Sequence, residues 1–196
     1  MRPLLIATTN SGKFKEFEAL LASKFICEPL PKEIPTVVED GKNYFENAFK
    51  KAEGYFLRLG KPVLADDSGI EVDALEGLPG LDSANYGGAN LSWPERWDYL
   101  YKNLNASRNK SRAARFRCVL CYYDGKNPPQ YFEATTEGNI AQESEGAGGF
   151  GYDPIFWSQE LGKTLGEATP EEKALVSHRA RATQKFLDWL TTHKDS

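Results

Sequence analysis

Cysteine is scarce in this 196-residue chain, with only Cys27, Cys118 and Cys121. So small and odd a number provides no disulfide framework and suits a reducing compartment. Cys118 and Cys121 do form a C-x-x-C, but Arg117–Tyr122 reads as a strand, where positions three apart face opposite sides. That argues against a zinc or redox pair and for core packing. Long apolar runs are missing: nothing approaches the ~20 residues of a membrane span, and Met1–Ile6 is too short an apolar stretch for a signal peptide. An excess of positive charge is missing too. The formal charge of -4 argues against a partner bound through a nucleic-acid backbone. A small phosphate ligand stays open, because it needs only a local cationic cluster. A soluble cytoplasmic protein with neither membrane nor nucleic acid as partner is expected.

What is present is enough for a folded core, since 40% of residues are hydrophobic and 12% aromatic. The length fits one domain over residues 1–196, with or without two lobes. Leu4–Thr8 reads as a buried strand and Thr9–Gly12 as a turn. Lys13–Lys24 reads as a helix with Phe14, Phe17, Leu20 and Leu21 at helical spacing. After a Pro-rich loop over Leu30–Asp40, a second helix is expected over Asn43–Leu59, stopped by Gly60-Lys61-Pro62. Ser92–Glu95 has capping-box spacing and opens a helix to Leu104, and Ala114–Tyr123 and Gln130–Ala141 read as a strand pair. Thr169–Glu172 opens a last helical region. Strands and helices alternate first and strands pair locally later, which predicts an α/β fold with a mixed sheet flanked by helices.

Four segments carry chemistry. Val63–Ala65 reads as a buried strand that ends at Asp66-Asp67-Ser68-Gly69. Adjacent carboxylates repel and lose hydration unless something positive sits between them, and a divalent metal is a natural partner. The same four residues also form turns, so a site and a plain turn both stay open. Thr8-Thr9-Asn10-Ser11-Gly12-Lys13 is a strand–turn–helix offering backbone N–H groups and a lysine to an anion, or an ordinary helix capped by Ser11. It is not a Walker A loop, because Ala7 replaces the first glycine and Phe14 the magnesium-holding hydroxyl. Gly148–Pro154 has three glycines that let the backbone approach a flat ligand and two aromatics, Phe150 and Tyr152, suited to stacking on it. The alternative is a hairpin loop with its aromatics tucked inward. Lys173, His178 and Arg179 would diverge around one continuous helix. If they serve one ligand, the helix breaks near Val176-Ser177 and Ser177 caps a second one. Glu39 lies in a loop and Glu46 and Lys51 on the second helix, where charge is ordinary.

Together, ATTNSGK at residues 7–13, ENAFKKA at 46–52, LADDSG at 64–69, LEGLPGLDSANYGG at 75–88, GGFGYDP at 148–154, EEK at 171–173 and SHRARA at 177–182 resemble the inosine/xanthosine triphosphate pyrophosphatase family. The resemblance spans nearly the whole chain and rests on the order of the motifs. It implies an elongated two-lobed α/β structure with a long mixed sheet and a nucleotide cleft between the lobes, usually as a homodimer. It also implies hydrolysis of non-standard purine nucleoside triphosphates (ITP, dITP, XTP) to the monophosphate and pyrophosphate with Mg2+, or Mn2+ in its place. Thr8, Thr9, Asn10, Ser11, Gly12 and Lys13 would hold the phosphates. Asp67 would bind metal and accept the proton of the attacking water, with Glu39 as second metal ligand and Asp66 and Glu46 in support. Ser68, Phe150, Gly151, Tyr152, Asp153, Lys173, His178 and Arg179 would surround the nucleotide. One departure stands out: Asn85 follows Ser83-Ala84 where the family usually has Arg, a lost donor fork that Arg96, Arg115 or Arg117 could replace. A pyrophosphatase of the septum-inhibition type and a non-catalytic nucleotide sensor are the alternatives.

Overall fold

β1 (Arg2–Ala7) is apolar on both faces from Leu4 to Ala7, as a strand covered on both sides requires. α1 (Ser11–Leu21) follows, then β2 (Phe25–Glu28), which pairs parallel with β1. α2 (Tyr44–Leu59) ends at Gly60, whose φ of 63° supplies the left-handed cap. β3 (Val63–Val72) also runs parallel to β1, with Leu5 opposite Val63 and Ala7 opposite Ala65. α3 (Trp93–Ala106) carries the expected Ser92–Glu95 capping box. β4 (Ala113–Tyr123) and β5 (Gln130–Ile140) come next, and β6 (Phe156–Ser158) and β7 (Lys163–Thr164) add antiparallel edges. α4 (Pro170–Val176) and α5 (His178–Thr192) close the chain. The seven strands form one mixed sheet in the order β2-β1-β3-β4-β5-β6-β7, so the α/β class holds. This computed structural model describes residues 1–193.

The chain divides into two compact units. The first comprises Met1–Asp67, Cys118–Ala134 and the segment from Arg179 on; the second comprises Ser68–Arg117 and Thr135–His178. In the first unit, strand alternation sorts the core into two faces. Leu4, Ile6, Leu64, Cys118 and Leu120 pack with Phe17 and Leu21 of α1 and Phe186 of α5. Leu5, Ala7, Val63, Ala65, Val119 and Cys121 pack instead with Tyr44, Ala48, Ala52 and Tyr55 of α2. Cys118 and Cys121 thus lie in separate clusters and are free thiols, as the strand reading requires. The second unit has a single core of Ile70, Val72, Leu100, Phe116, Ile140, Phe156 and Leu165. Burying a side chain of this size stabilises the fold by about 1.5–3 kcal/mol.

Two local expectations need correction, and one strand was missed. α1 begins at Ser11 and is capped by Asn10, whose Oδ1 accepts the Lys13 N–H at 3.0 Å. β2 went unforeseen, since four residues after a helix present no alternation. β3 does not end at Ala65; it continues through both aspartates to Val72. By contrast, the helix break before His178 is there, with Ser177 extended at φ -71° and ψ 147° between α4 and α5.

Candidate active site

The loop after β1 is held by its own polar side chains. Thr8 Oγ1 accepts the Asn10 N–H at 3.1 Å and Asn10 Oδ1 accepts that of Lys13. The remaining N–H groups of the first turn of α1 are free of intrahelical partners, and with Lys13 they favour an anion. This loop follows the carboxyl end of β1, the end of a parallel strand where ligands collect in α/β sheets.

Because β3 continues, its two aspartates point to opposite faces. Asp66 lies on the Leu64 face, where Lys13 Nζ sits 3.0 Å and the Arg179 guanidinium 3.3 Å from Oδ2. Arg179 is shared with Glu16 of α1 at 2.5 Å and lies over the Phe17 ring. Burial pushes the Asp66 carboxyl up, but Lys13, Arg179 and Lys51 outweigh it and hold Asp66 far below the usual carboxylate range. Asp67 lies on the Ala65 face against α2. Asn47 Nδ2 donates to its Oδ2 at 3.1 Å, and Lys51 Nζ stands 3.9 Å from its Oδ1. Here burial prevails, and the Asp67 carboxyl is pushed above its ordinary range despite Lys51 and Asn47. A buried carboxylate raised in this way is a better proton acceptor than an exposed one.

Asn47 and Lys51 are one helical turn apart on the buried stripe of α2, among Tyr44, Ala48, Ala52 and Tyr55. Asn47 Oδ1 accepts the Gly41 N–H at 2.7 Å, which fixes its amide so that Nδ2 faces Asp67. The loop before α2 approaches the helix closely at Gly54, where a Cβ would stand 2.8 Å from Val37. That loop delivers Glu39, whose Oε2 is 2.6 Å from Lys51 Nζ. Glu39 and Asp67 therefore converge on one ammonium. Two carboxylates so placed supply hard oxygen donors of the kind a divalent cation takes. Among the described residues no group of three or more His, Cys, Asp or Glu gathers, so the remaining ligands would be oxygens from elsewhere.

The second unit brings together a different set. Asp153 is buried, and its Oδ2 accepts the Phe150 N–H at 2.7 Å and the Lys173 ammonium at 2.5 Å. Lys173 also stands 4.5 Å from the Phe150 ring centroid, a cation–π contact. Gly149 has φ 69°, and a Cβ there would collide with the Asp153 carboxylate, so glycine is required. Tyr152 is buried, donates its hydroxyl to Ser83 O at 2.8 Å and meets the Trp93 ring edge-on. It braces the loop, whereas the half-buried Phe150 offers the ring. Trp97 Nε1 donates to Gly151 O at 3.0 Å. His178 stacks on Phe116 with ring centroids 4.7 Å apart and planes 11° from parallel.

The sequence-predicted residues therefore separate into groups. Thr8–Lys13, Glu39 and Asp67 belong to the first unit, and so does Arg179, which joins Asp66 rather than its neighbour His178. Ser68, Phe150–Asp153, Lys173 and His178 belong to the second. Glu46 caps α2, accepting the Lys42 N–H at 2.9 Å and Asn43 Nδ2 at 3.0 Å. Asn47, Lys51 and Glu16 were not singled out. The signal for the first two was their place among Tyr44, Ala48, Ala52 and Tyr55, where charge is unexpected. Asn85 is exposed in its loop. Arg115 is engaged by Asp73 at 3.0 Å and Glu137 at 3.1 Å, and Arg96 donates to Tyr86 O, Gly88 O and Leu91 O.

The Ham1 family model matches residues 4–189. A dITP/XTP pyrophosphatase of Geobacillus kaustophilus is 43% identical over 190 residues, covering 95% of this chain and 93% of that protein. One of Yersinia pestis is 41% identical over 194 residues, covering 97% and 98%. Among solved structures, a HAM1 protein from Coxiella burnetii superposes with a TM-score of 0.89 at 35% identity, covering 98% of this chain and all of that one. The Staphylococcus aureus Ham1 protein gives 0.85 at 35% identity, covering 98% and 99%. Motif order, sheet topology and near-complete coverage agree, and the chain belongs to the Ham1 family.

Proposed function

We propose that this chain hydrolyses the non-standard purine nucleoside triphosphates ITP, dITP and XTP to the monophosphate and pyrophosphate, and that residues 1–196 act as one catalytic domain. The observation that carries the reading is Asp67, a buried carboxyl raised above its ordinary range, oriented by Asn47 and paired through Lys51 with Glu39. Asp67 takes the proton of the attacking water, and Asn47 keeps its other oxygen occupied so that one lone pair faces the substrate. Thr8–Lys13 bind the phosphates through backbone N–H groups and the Lys13 ammonium. Asp66 holds Lys13 and Arg179 in place for the charge that builds up as the bond between the first two phosphates breaks. Glu39 and Asp67 would hold Mg2+, with Mn2+ as substitute, and such a cation supplies neutralisation of the phosphate oxygens.

The second unit reads the base. Phe150 offers a stacking face, its ring backed by Lys173. Hypoxanthine and xanthine carry an oxygen at the six-position, whereas adenine carries an amino group. Donors from His178, Lys173 or backbone N–H groups pair with the oxygen and leave the amino group unpaired, a costly mismatch in a dry site. Relatives named dITP/XTP pyrophosphatase support the substrate class. We further propose action in the cytoplasm as a homodimer. Free thiols fit the first, and no helix among the described residues is long and apolar enough to cross a membrane. The test is pyrophosphate release from ITP, XTP, dITP, GTP, ATP and dTTP, with and without Mg2+. Release from the first three that needs the metal is expected. Equal release from ATP would overturn the base logic, and no release from any would overturn hydrolysis.

A further inference from the structure

Lys51 is buried at 8% exposure, rises from the apolar stripe of α2 between Ala48 and Ala52, and places its ammonium against Glu39 and Asp67 at once. Both carboxylate oxygens lie within 4 Å of that single nitrogen. The second oxygen of Asp67 is already taken by Asn47. A cation that binds the oxygens facing Lys51 therefore competes with its ammonium for Glu39 Oε2 and Asp67 Oδ1.

We propose that Lys51 is a built-in counter-cation, holding Glu39 and Asp67 together in the nucleotide-free protein and competing with the divalent cation for them. This rests on the reading of Glu39 and Asp67 as metal ligands. Without Lys51 the two acids would face each other unshielded, which loosens the loop that carries Glu39 and sharpens the pull on a divalent ion. With Lys51, the empty site is neutralised and the metal binds weakly alone. An anion arriving with the metal gives the displaced ammonium a new partner, so metal and nucleotide bind together better than either binds singly. The coupling is reciprocal, as linkage requires.

The experiment titrates nucleotide-free protein with Mn2+, following free Mn2+ by electron paramagnetic resonance. Lys51→Gln is expected to bind Mn2+ about tenfold tighter or more than wild type, the scale of removing a nearby unit charge from a partly buried site. Lys51→Arg keeps the charge and should bind as weakly as wild type. Lys50→Gln, which loses only the surface contact of Lys50 with Asp40, should change binding less than about twofold. In a chelator, Lys51→Gln should melt below wild type, and saturating Mn2+ should close that gap. If Lys51→Gln binds Mn2+ no tighter while Glu39→Gln has lost binding, the competition is overturned and the carboxylate site stands. If Glu39→Gln binds Mn2+ as wild type does, Glu39 is not a ligand and the proposal falls with the site.

Discussion

Replacing Asp67 by Asn removes one charge and one proton acceptor while keeping the shape of the side chain. The amide oxygen can still accept from Asn47 Nδ2, because Asn47 is held in orientation by the Gly41 N–H. Lys51 keeps Glu39 at 2.6 Å, so no ammonium is stranded. The folded-state pKa of Asp67 is raised, first by burial. The stability this group contributes is therefore fully present below its unfolded pKa and lost as pH rises through the folded one. At pH 7 its ionised form is a net cost, so the Asn variant should be as stable as wild type or slightly more so. With about 2–4 °C per kcal/mol for a chain of this size, a melting temperature between unchanged and about 4 °C higher is expected. Turnover should fall about 100-fold or more, the scale of a lost general base. Calorimetry on the apoprotein reads the first quantity and pyrophosphate release from ITP the second. The acid limb of the wild-type pH–rate profile should vanish in the variant. A stable variant within about threefold of wild-type turnover would refute Asp67 as the base. A large fall in melting temperature would refute the claim that its charge is held at a cost.

Asp66 behaves in the opposite sense. Its carboxyl is held far below the usual range by Lys13, Arg179 and Lys51 against the opposing effect of burial, so its contribution is present above the unfolded pKa and lost as pH falls through the folded one. Asp66→Asn should cost about 3–5 kcal/mol at pH 7 by removing the buried carboxylate that Arg179 and Lys13 share, and in urea titrations the gap to wild type should shrink as pH falls below the ordinary carboxylate range. Gly149→Ala should destabilise by about 1–3 kcal/mol, since φ of 69° and the Asp153 carboxylate both exclude a Cβ, and a denaturant midpoint checks it. Burial pushes the Cys118 and Cys121 thiols up to about 12; at pH 8 neither should react with a maleimide until denaturant is added.

The elements with local signals were legible in the sequence. Ser92–Glu95 and Thr169–Glu172 announce helices by capping chemistry, and the break at Ser177, expected if Lys173, His178 and Arg179 served one ligand, is there although Arg179 joins Asp66 instead. The continuation of β3 was not legible, because two aspartates are strong local evidence for a turn and only tertiary cations on each face reverse it. For the same reason the expectation of one positive group between the carboxylates misleads: alternation gives Asp66 and Asp67 separate partners. Asn47 and Lys51 were missed because polar residues on an amphipathic helix are ordinarily solvated, and only their helical spacing from Tyr44, Ala48, Ala52 and Tyr55 puts them on the buried stripe. Arg179 was read with His178 because they adjoin, yet the start of α5 sends them into different units.

The pairing of β3 with β1 also limits how this protein can change. Leu5, Ile6 and Ala7 stand opposite Val63, Leu64 and Ala65, and the next two positions are the aspartates. One residue inserted or deleted among them would exchange the two faces of the strand, sending Asp66 toward Asn47 and Lys51 and Asp67 toward Lys13 and Arg179. Side chains at 63–65 can vary in identity while the count between them and the carboxylates cannot. Loops that carry no site residue can lengthen without touching the chemistry, but this strand is a ruler whose length is set by the reaction.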